Sequence, residues 1–270
     1  MRYLDKLLSA TRDTSLCVGL DPDPARFPGD WRGDARRIAD FCCAIVDATH
    51  DLVAAFKPQI AYFAAEAAED QLQRVIAHIR RVAPGKLIVL DAKRGDIGDT
   101  AKLYAREAFE RYGADAVTLS PFMGLDTLEP FLAHADRGVF VLCRTSNPGG
   151  SDWQMQRLAD LPEQPRLFEE LARRAGSEWR RQPGQLGLVV GATYPGELAR
   201  VRQLAPDVPL LVPGIGAQGG DAAATVKANA GGPMLVSSSR AILYASAQLQ
   251  DFAAAARAAA EATRAQLQAV

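Results

Sequence analysis

Apolar residues fall in short, near-continuous blocks along the chain, separated by longer stretches in which apolar and polar positions mix with a helical period. The blocks are Ser15–Leu20, Leu52–Lys57, Leu87–Leu90, Ala116–Leu119, Val139–Cys143, Leu186–Val190, Leu210–Val212 and Met234–Ser237. Few alternate strictly, and runs of this kind suit parallel strands covered on both faces. Their starts lie about 31 residues apart on average, the length of a strand–loop–helix–loop unit.

The intervening stretches predict helices. Asp34–Ala48 places Ile38, Phe41, Cys42, Ile45 and Val46 on one stripe, with Asp34 as N-cap. Ala61–Val82 places Leu72, Val75, Ile76 and Ile79 similarly and stops at Pro84-Gly85. Asp99–Arg111 runs up to Gly113, and the Ala-rich tail from Ala247 predicts a last amphipathic helix. Eight strands alternating with helices predict an α/β fold, a (β/α)₈ barrel built as a single domain over residues 1–270. An open doubly wound sheet fits the same alternation, but the count of eight favours the closed form. One interval, Arg144–Pro165, is long and holds Gly149-Gly150, Trp153, Pro162 and Pro165; it reads equally as a lid or as a surface excursion.

Composition narrows the partners. Lys plus Arg is 31 and Asp plus Glu is 32, so nothing in the overall charge favours nucleic acid or an anionic membrane. Cys17, Cys42, Cys43 and Cys143 form no C-x-x-C and read as buried thiols of a reduced, cytoplasmic protein. His50, His78 and His134 have no metal-ligand spacing. The first ten residues lack the apolar core of a signal peptide, and no run approaches the ~18 apolar residues of a membrane span.

In a barrel, chemistry belongs at the C-terminal ends of the strands. The polar residues after the apolar runs are Asp21, Lys57, Asp91 with Lys93, Ser120, Arg144 to Asn147, Thr193, Gly214 to Gly220, and Arg240. The densest stretch is Asp91 to Thr100. Asp91 and Lys93 are two apart, so on extended backbone they share a face. A carboxylate beside an ammonium keeps the lysine charged, which favours a proton donor over a Schiff-base amine. An ion pair that merely fills the barrel rim has the same spacing. The stretch Val212 to Gly220 offers glycines whose backbone N–H groups can approach an anion ahead of a helix, and Arg240 after the eighth strand can clamp the same phosphate. Two flexible turns and a surface arginine are the plainer reading.

These residues, taken together, resemble one family. Asp91-x-Lys93-x-x-Asp96-Ile97-x-x-Thr100 is similar to the signature of the orotidine 5′-phosphate decarboxylases, in the form of their longer bacterial (type 2) subfamily. Val18-Gly19-Leu20-Asp21, Phe56-Lys57-Pro58, Pro213 to Gly220 and Ser237-Ser238-Ser239-Arg240 agree with it in order and spacing, over roughly Leu16 to Ala245. The resemblance implies decarboxylation of orotidine monophosphate to uridine monophosphate, the last step of UMP synthesis, by a homodimer of barrels with no metal and no organic cofactor. It implies that Lys93 donates a proton to carbon 6 of the pyrimidine and that Asp91 sits beside it and the departing carboxylate. Asp96, with Ile97 and Thr100, would reach into the partner's site. Asp21 and Lys57 would bind ribose hydroxyls, Gln218 and Arg240 the phosphate, and Ser146 the pyrimidine amide. Three alternatives stay in view: a metal-dependent sugar-phosphate decarboxylase of the same barrel type, a Schiff-base aldolase on Lys93, and a phosphate-ligand-binding barrel without catalysis.

Overall fold

The computed structural model describes residues 1–180, 185–216 and 219–269. Its strands are β1 (Leu16–Leu20), β2 (Ala55–Pro58), β3 (Leu87–Arg94), β4 (Ala116–Leu119), β5 (Gly138–Arg144), β6 (Leu186–Val190), β7 (Leu210–Pro213) and β8 (Met234–Ser238). All pair in parallel with their sequence neighbours, and β8 closes on β1, so the sheet is a closed barrel rather than an open one. Helices follow the strands and form the outer layer, as the alternation predicts.

Two apolar cores result. One lies between the barrel and its helices; the other fills the lumen with Cys17, Ala55, Leu87, Val89, Ala116, Phe140, Val189, Leu211 and Leu235. The N-terminal helix Tyr3–Ala10 plugs the lower end of the lumen with Tyr3, Leu7 and Ala10. Side chains alternate between the two cores along each strand, because successive strand residues face opposite ways. Continuing that alternation upward from the apolar floor reaches Lys57 above Ala55, Asp91 above Val89, Thr118 above Ala116 and Ser237 above Leu235. The floor is thus apolar and the mouth charged, on the same strands.

Several predicted boundaries shift. The second strand starts at Ala55 rather than Leu52, because Leu52 still belongs to the turn that ends the preceding helix, its N–H donating to Thr49 O. The third strand runs on to Arg94 through an irregularity against β4. Asp34 does cap, but it caps a short 3₁₀ turn, Ala35–Arg37, and the α-helix begins at Ile38. The single helix predicted over Ala61–Val82 is two, Ile60–Ala64 and Glu69–Val82. Between them Ala67 takes φ +50° and Ala68 N–H reaches back to Phe63 O, a helix-stop turn that usually carries glycine. An alanine leaves no stop signal in the sequence. Asp99–Arg111 is a helix over Gly98–Arg106 that widens into a π-turn over Glu107–Arg111, and the last helix begins at Phe252 rather than near Ala247. Among the described residues no helix is long and apolar enough to cross a membrane, and the four cysteines are free thiols.

Candidate active site

The mouth of the barrel opens into a cavity of about 730 Å³, in the size range of small-molecule sites. Asp21, Lys57, Asp91, Lys93, Ser146 and Arg240 all line it, brought together from β2, β3 and the segments after β1, β5 and β8. Asp96, Ile97 and Thr100 do not line the cavity of their own chain, and Ile97 is 60% exposed. Gln218 lies outside the described residues.

Asp91 is the hub. Its Oδ2 accepts from Lys57 Nζ at 2.7 Å, and its Oδ1 accepts from Lys93 Nζ at 2.6 Å and from Thr118 Oγ1 at 2.8 Å. Lys57 and Asp91 are both buried, whereas the Lys93 side chain is about half exposed to the cavity. Burial alone would push the Asp91 carboxyl up. The two ammonium groups and their hydrogen bonds outweigh it and hold the carboxyl well below the usual range. Burial likewise opposes charge on Lys57, but Asp91 and Asp21 beside it hold its pKa above the ordinary lysine value. Both groups therefore stay ionised at neutral pH, and the site keeps a fixed row of cation, anion and cation.

Simple strand alternation does not account for the Asp91–Lys93 contact. Register against β4 runs from Leu90 opposite Val117 to Arg94 opposite Leu119, so β3 spends more residues than its neighbour over this stretch. Lys93 sits at φ +46°, in the left-handed region that L side chains rarely adopt. The bulge, not an extended pair of residues, turns the ammonium onto the carboxylate.

On the β1–β8 side, Ser239 Oγ donates to Asp21 Oδ2 at 2.6 Å, and Tyr244 Oη donates to the Asp21 carbonyl at 2.7 Å. Asp21 Oδ1 has no hydrogen-bond partner among the described residues. After β7, Gly214, Gly216 and Gly219 all take positive φ, at +106°, +81° and +81°, which only glycine adopts without strain. Arg240 follows β8 and lines the same cavity as Gly214 and Ile215.

Not every polar residue that follows a strand reaches the cavity. Ser120 and Thr193 do not line the cavity, and Arg144 lies beneath it, fully buried. Its guanidinium sits 3.9 Å from the Tyr194 ring and donates to Thr145 O, Gln154 Oε1 and Ser151 Oγ, tying down the segment that presents Ser146. Ser146 packs so closely on Gly191 that a Cβ there would lie 2.9 Å from the serine's Cβ. The long interval Arg144–Pro165 divides: Thr145, Ser146, Asn147 and Gln154 line the cavity, while Trp153 is 73% exposed. The residue missed in sequence is Thr118. Its signal was a lone hydroxyl inside the apolar run Ala116–Leu119, at the lumen-facing position two beyond Ala116.

Comparison with known proteins agrees with this geometry. Residues 14–258 match the profile of the orotidine 5′-phosphate decarboxylase / HUMPS family. An orotidine 5′-phosphate decarboxylase of Leptothrix cholodnii is 67% identical over 274 residues, covering 98% of this chain and 96% of the relative. One of Delftia acidovorans is 66% identical, covering 99% and 98%. Among solved structures, the OMP decarboxylase of Leishmania donovani superposes with a TM-score of 0.83 at 40% identity, with complete coverage of both chains. The UMP synthase of the same organism gives 0.85 at 42% identity; 99% of this chain matches 57% of that longer one.

Proposed function

The chain belongs to the orotidine 5′-phosphate decarboxylase / HUMPS family, and from that premise we propose how its residues carry the reaction. The protein decarboxylates orotidine 5′-phosphate to uridine 5′-phosphate and carbon dioxide. The observation that carries the mechanism is the row Lys57–Asp91–Lys93 at the mouth of the barrel. As the bond from carbon 6 to the carboxylate breaks, its electron pair stays on carbon 6. The Lys93 ammonium stabilises that charge and then gives it a proton, which leaves a neutral amine that solvent reprotonates. Asp91 holds the ammonium and lies where the substrate carboxylate would be repelled until it leaves as neutral carbon dioxide. Lys57 keeps Asp91 ionised from the buried side.

The remaining roles follow the chemistry of each group. Asp21 presents Oδ1, which has no partner among the described residues, to a ribose hydroxyl, while Ser239 fixes its other oxygen. The glycine turn after β7 and Arg240 take the phosphate, with Gln218 assigned by resemblance alone. Ser146, fixed from below by Arg144 and Gly191, meets the pyrimidine amide. Binding energy gained at the phosphate, remote from the bond that breaks, aligns the reacting carbon with Lys93.

A homodimer with shared sites is part of this reading. Ile97, Leu103, Phe122 and Met123 are exposed large apolar side chains on β3–β4-side segments, and Phe122 is 90% exposed. Apolar exposure of this kind marks an association surface, and burying it against a second copy would carry Asp96, Ile97 and Thr100 toward the partner's cavity. The chain then acts as one barrel domain in a reduced cytoplasm, needing no metal or organic cofactor. Both Asp91 oxygens are occupied by ammonium and hydroxyl donors, a setting that suits an anionic substrate better than a divalent cation.

The test is the ultraviolet absorbance change of orotidine 5′-phosphate with purified protein, with and without excess EDTA. Rapid conversion that ignores EDTA is the expected result. Conversion that EDTA abolishes would overturn the metal-free mechanism, and none at all by folded protein would overturn the reading and turn the search to sugar phosphates with added magnesium.

A further inference from the structure

We infer that Thr118 is a positioning residue for the Lys93–Asp91 pair. The inference deepens the proposed function and rests on its assignment of Lys93 as proton donor. The Thr118 hydroxyl accepts the backbone N–H groups of both Ala92 and Lys93, each at 3.0 Å, and donates to Asp91 Oδ1 at 2.8 Å. A hydroxyl has one proton to give and two lone pairs to accept with, so this one is saturated. It is also 1% exposed, so water cannot readily stand in for it.

The bulge explains why such a group is needed. Against β4, the four steps of β3 from Leu90 to Arg94 match only two steps, from Val117 to Leu119. The amides of Ala92 and Lys93 fall in that irregular stretch, and the Thr118 side chain takes up both. The bulge places Lys93 at φ +46°, a conformation that persists only where its surroundings over-determine it. Those same bonds fix the carboxylate oxygen on which the ammonium rests. One hydroxyl therefore sets the direction of the proton donor and the position of its counter-ion without touching the reacting carbon.

Valine and serine separate shape from hydrogen bonding at this position. Thr118→Val keeps the branched shape but strands two amides and leaves Asp91 Oδ1 with Lys93 as its one remaining donor; Thr118→Ser keeps all three bonds. We expect kcat of Thr118→Val to fall about ten- to a hundredfold while the dissociation constant of uridine 5′-phosphate stays within about threefold. Thr118→Ser should stay within about threefold of wild type in both. Backbone amide exchange at Ala92 and Lys93 should rise at least about tenfold in Thr118→Val and remain slow in Thr118→Ser.

The inference is overturned if kcat of Thr118→Val is near wild type, if Thr118→Ser is as impaired as Thr118→Val, or if kcat and product affinity fall together. Should the valine variant not fold, Thr118→Ala against Thr118→Ser gives the same contrast, and fast exchange of the Lys93 amide in folded wild type alone would also overturn it. Lys93→Ala is assayed alongside. If it keeps turnover, the donor assignment fails, whereas an inactive Lys93→Ala beside a fully active Thr118→Val sinks this inference alone.

Discussion

Two buried aspartates at opposite ends of the barrel show what position does to the same side chain. Asp115, just before β4, accepts from Arg80 Nη2 at 2.8 Å and from the Ile88 N–H at 2.9 Å, with Arg137 and Lys6 at 3.7 and 3.8 Å. Asp91, near the end of β3, accepts from two lysines and a threonine. Each is nearly buried and each is ringed by cations. The difference lies in what the cations are tied to. Around Asp115, Arg80 and Arg137 also bond the Gly113 and Ala114 carbonyls and Lys6 bonds the Asp136 carbonyl, so the cluster stitches loops at the lower rim together. Around Asp91, Lys93 reaches into a cavity. A barrel places chemistry at the C-terminal rim and stability at the N-terminal one, and these two hubs follow that division.

The sharpest way to test the contrast is Lys93→Ala. With general-acid and electrostatic contributions both lost, turnover should fall by roughly 10⁴-fold or more while the protein stays folded and still binds uridine 5′-phosphate. Steady-state kinetics with a product titration check this, and near-wild-type turnover would break the assignment.

Asp91→Asn comes next, because Lys57 is then a buried cation without its anion. At pH 7 the variant should lose about 3 kcal/mol of stability in urea unfolding. The sign with pH follows from the shifts. Asp91 is held below the ordinary carboxylate value of 3.8, so its stabilisation is complete above that value and is lost as pH falls through the lower folded one. Lys57 is held above its ordinary 10.5, so its share is complete below that value and lost only at higher pH. The gap between wild type and Asp91→Asn should therefore be wide at pH 7 and narrower at pH 3. A gap that widens in acid would contradict the pairing.

Asp115→Ala should do the converse of Lys93→Ala. It should cost about 2–3 kcal/mol, discounted because the Arg80 side chain is partly exposed, and leave kcat within about twofold. A large loss of kcat without a loss of stability would erase the distinction between the two rims. The smallest expected signal concerns the shared sites. Mixing Asp96→Asn with Lys93→Ala and allowing subunits to exchange should restore up to about a quarter of wild-type activity, since hybrid dimers then carry one intact site. No recovery after verified exchange would place Asp96 outside the partner's cavity.

The chain's pattern by itself determined much. Buried parallel strands must be apolar on both faces, so eight short apolar runs announced the barrel and its order. Asp21, Lys57, Asp91, Lys93 and Arg240 were legible because charged side chains that directly follow such runs have few other places to go than the rim. What only the tertiary structure decided has a common cause. The Asp91–Lys93 contact depends on a bulge and on Lys93 at positive φ, and neither leaves a mark in residue type. Thr118 was hidden inside an apolar run, because its partners come from the neighbouring strand, 25 to 27 residues away. The break at Ala67 is a local turn that an alanine does not announce, and Arg144 is buried under the Ser146 segment by the fold of the chain just after it, with Tyr194 against its guanidinium. A sequence states which side chains are affordable in a layer; which of them meet is settled by register between strands, and register is a property of the closed sheet.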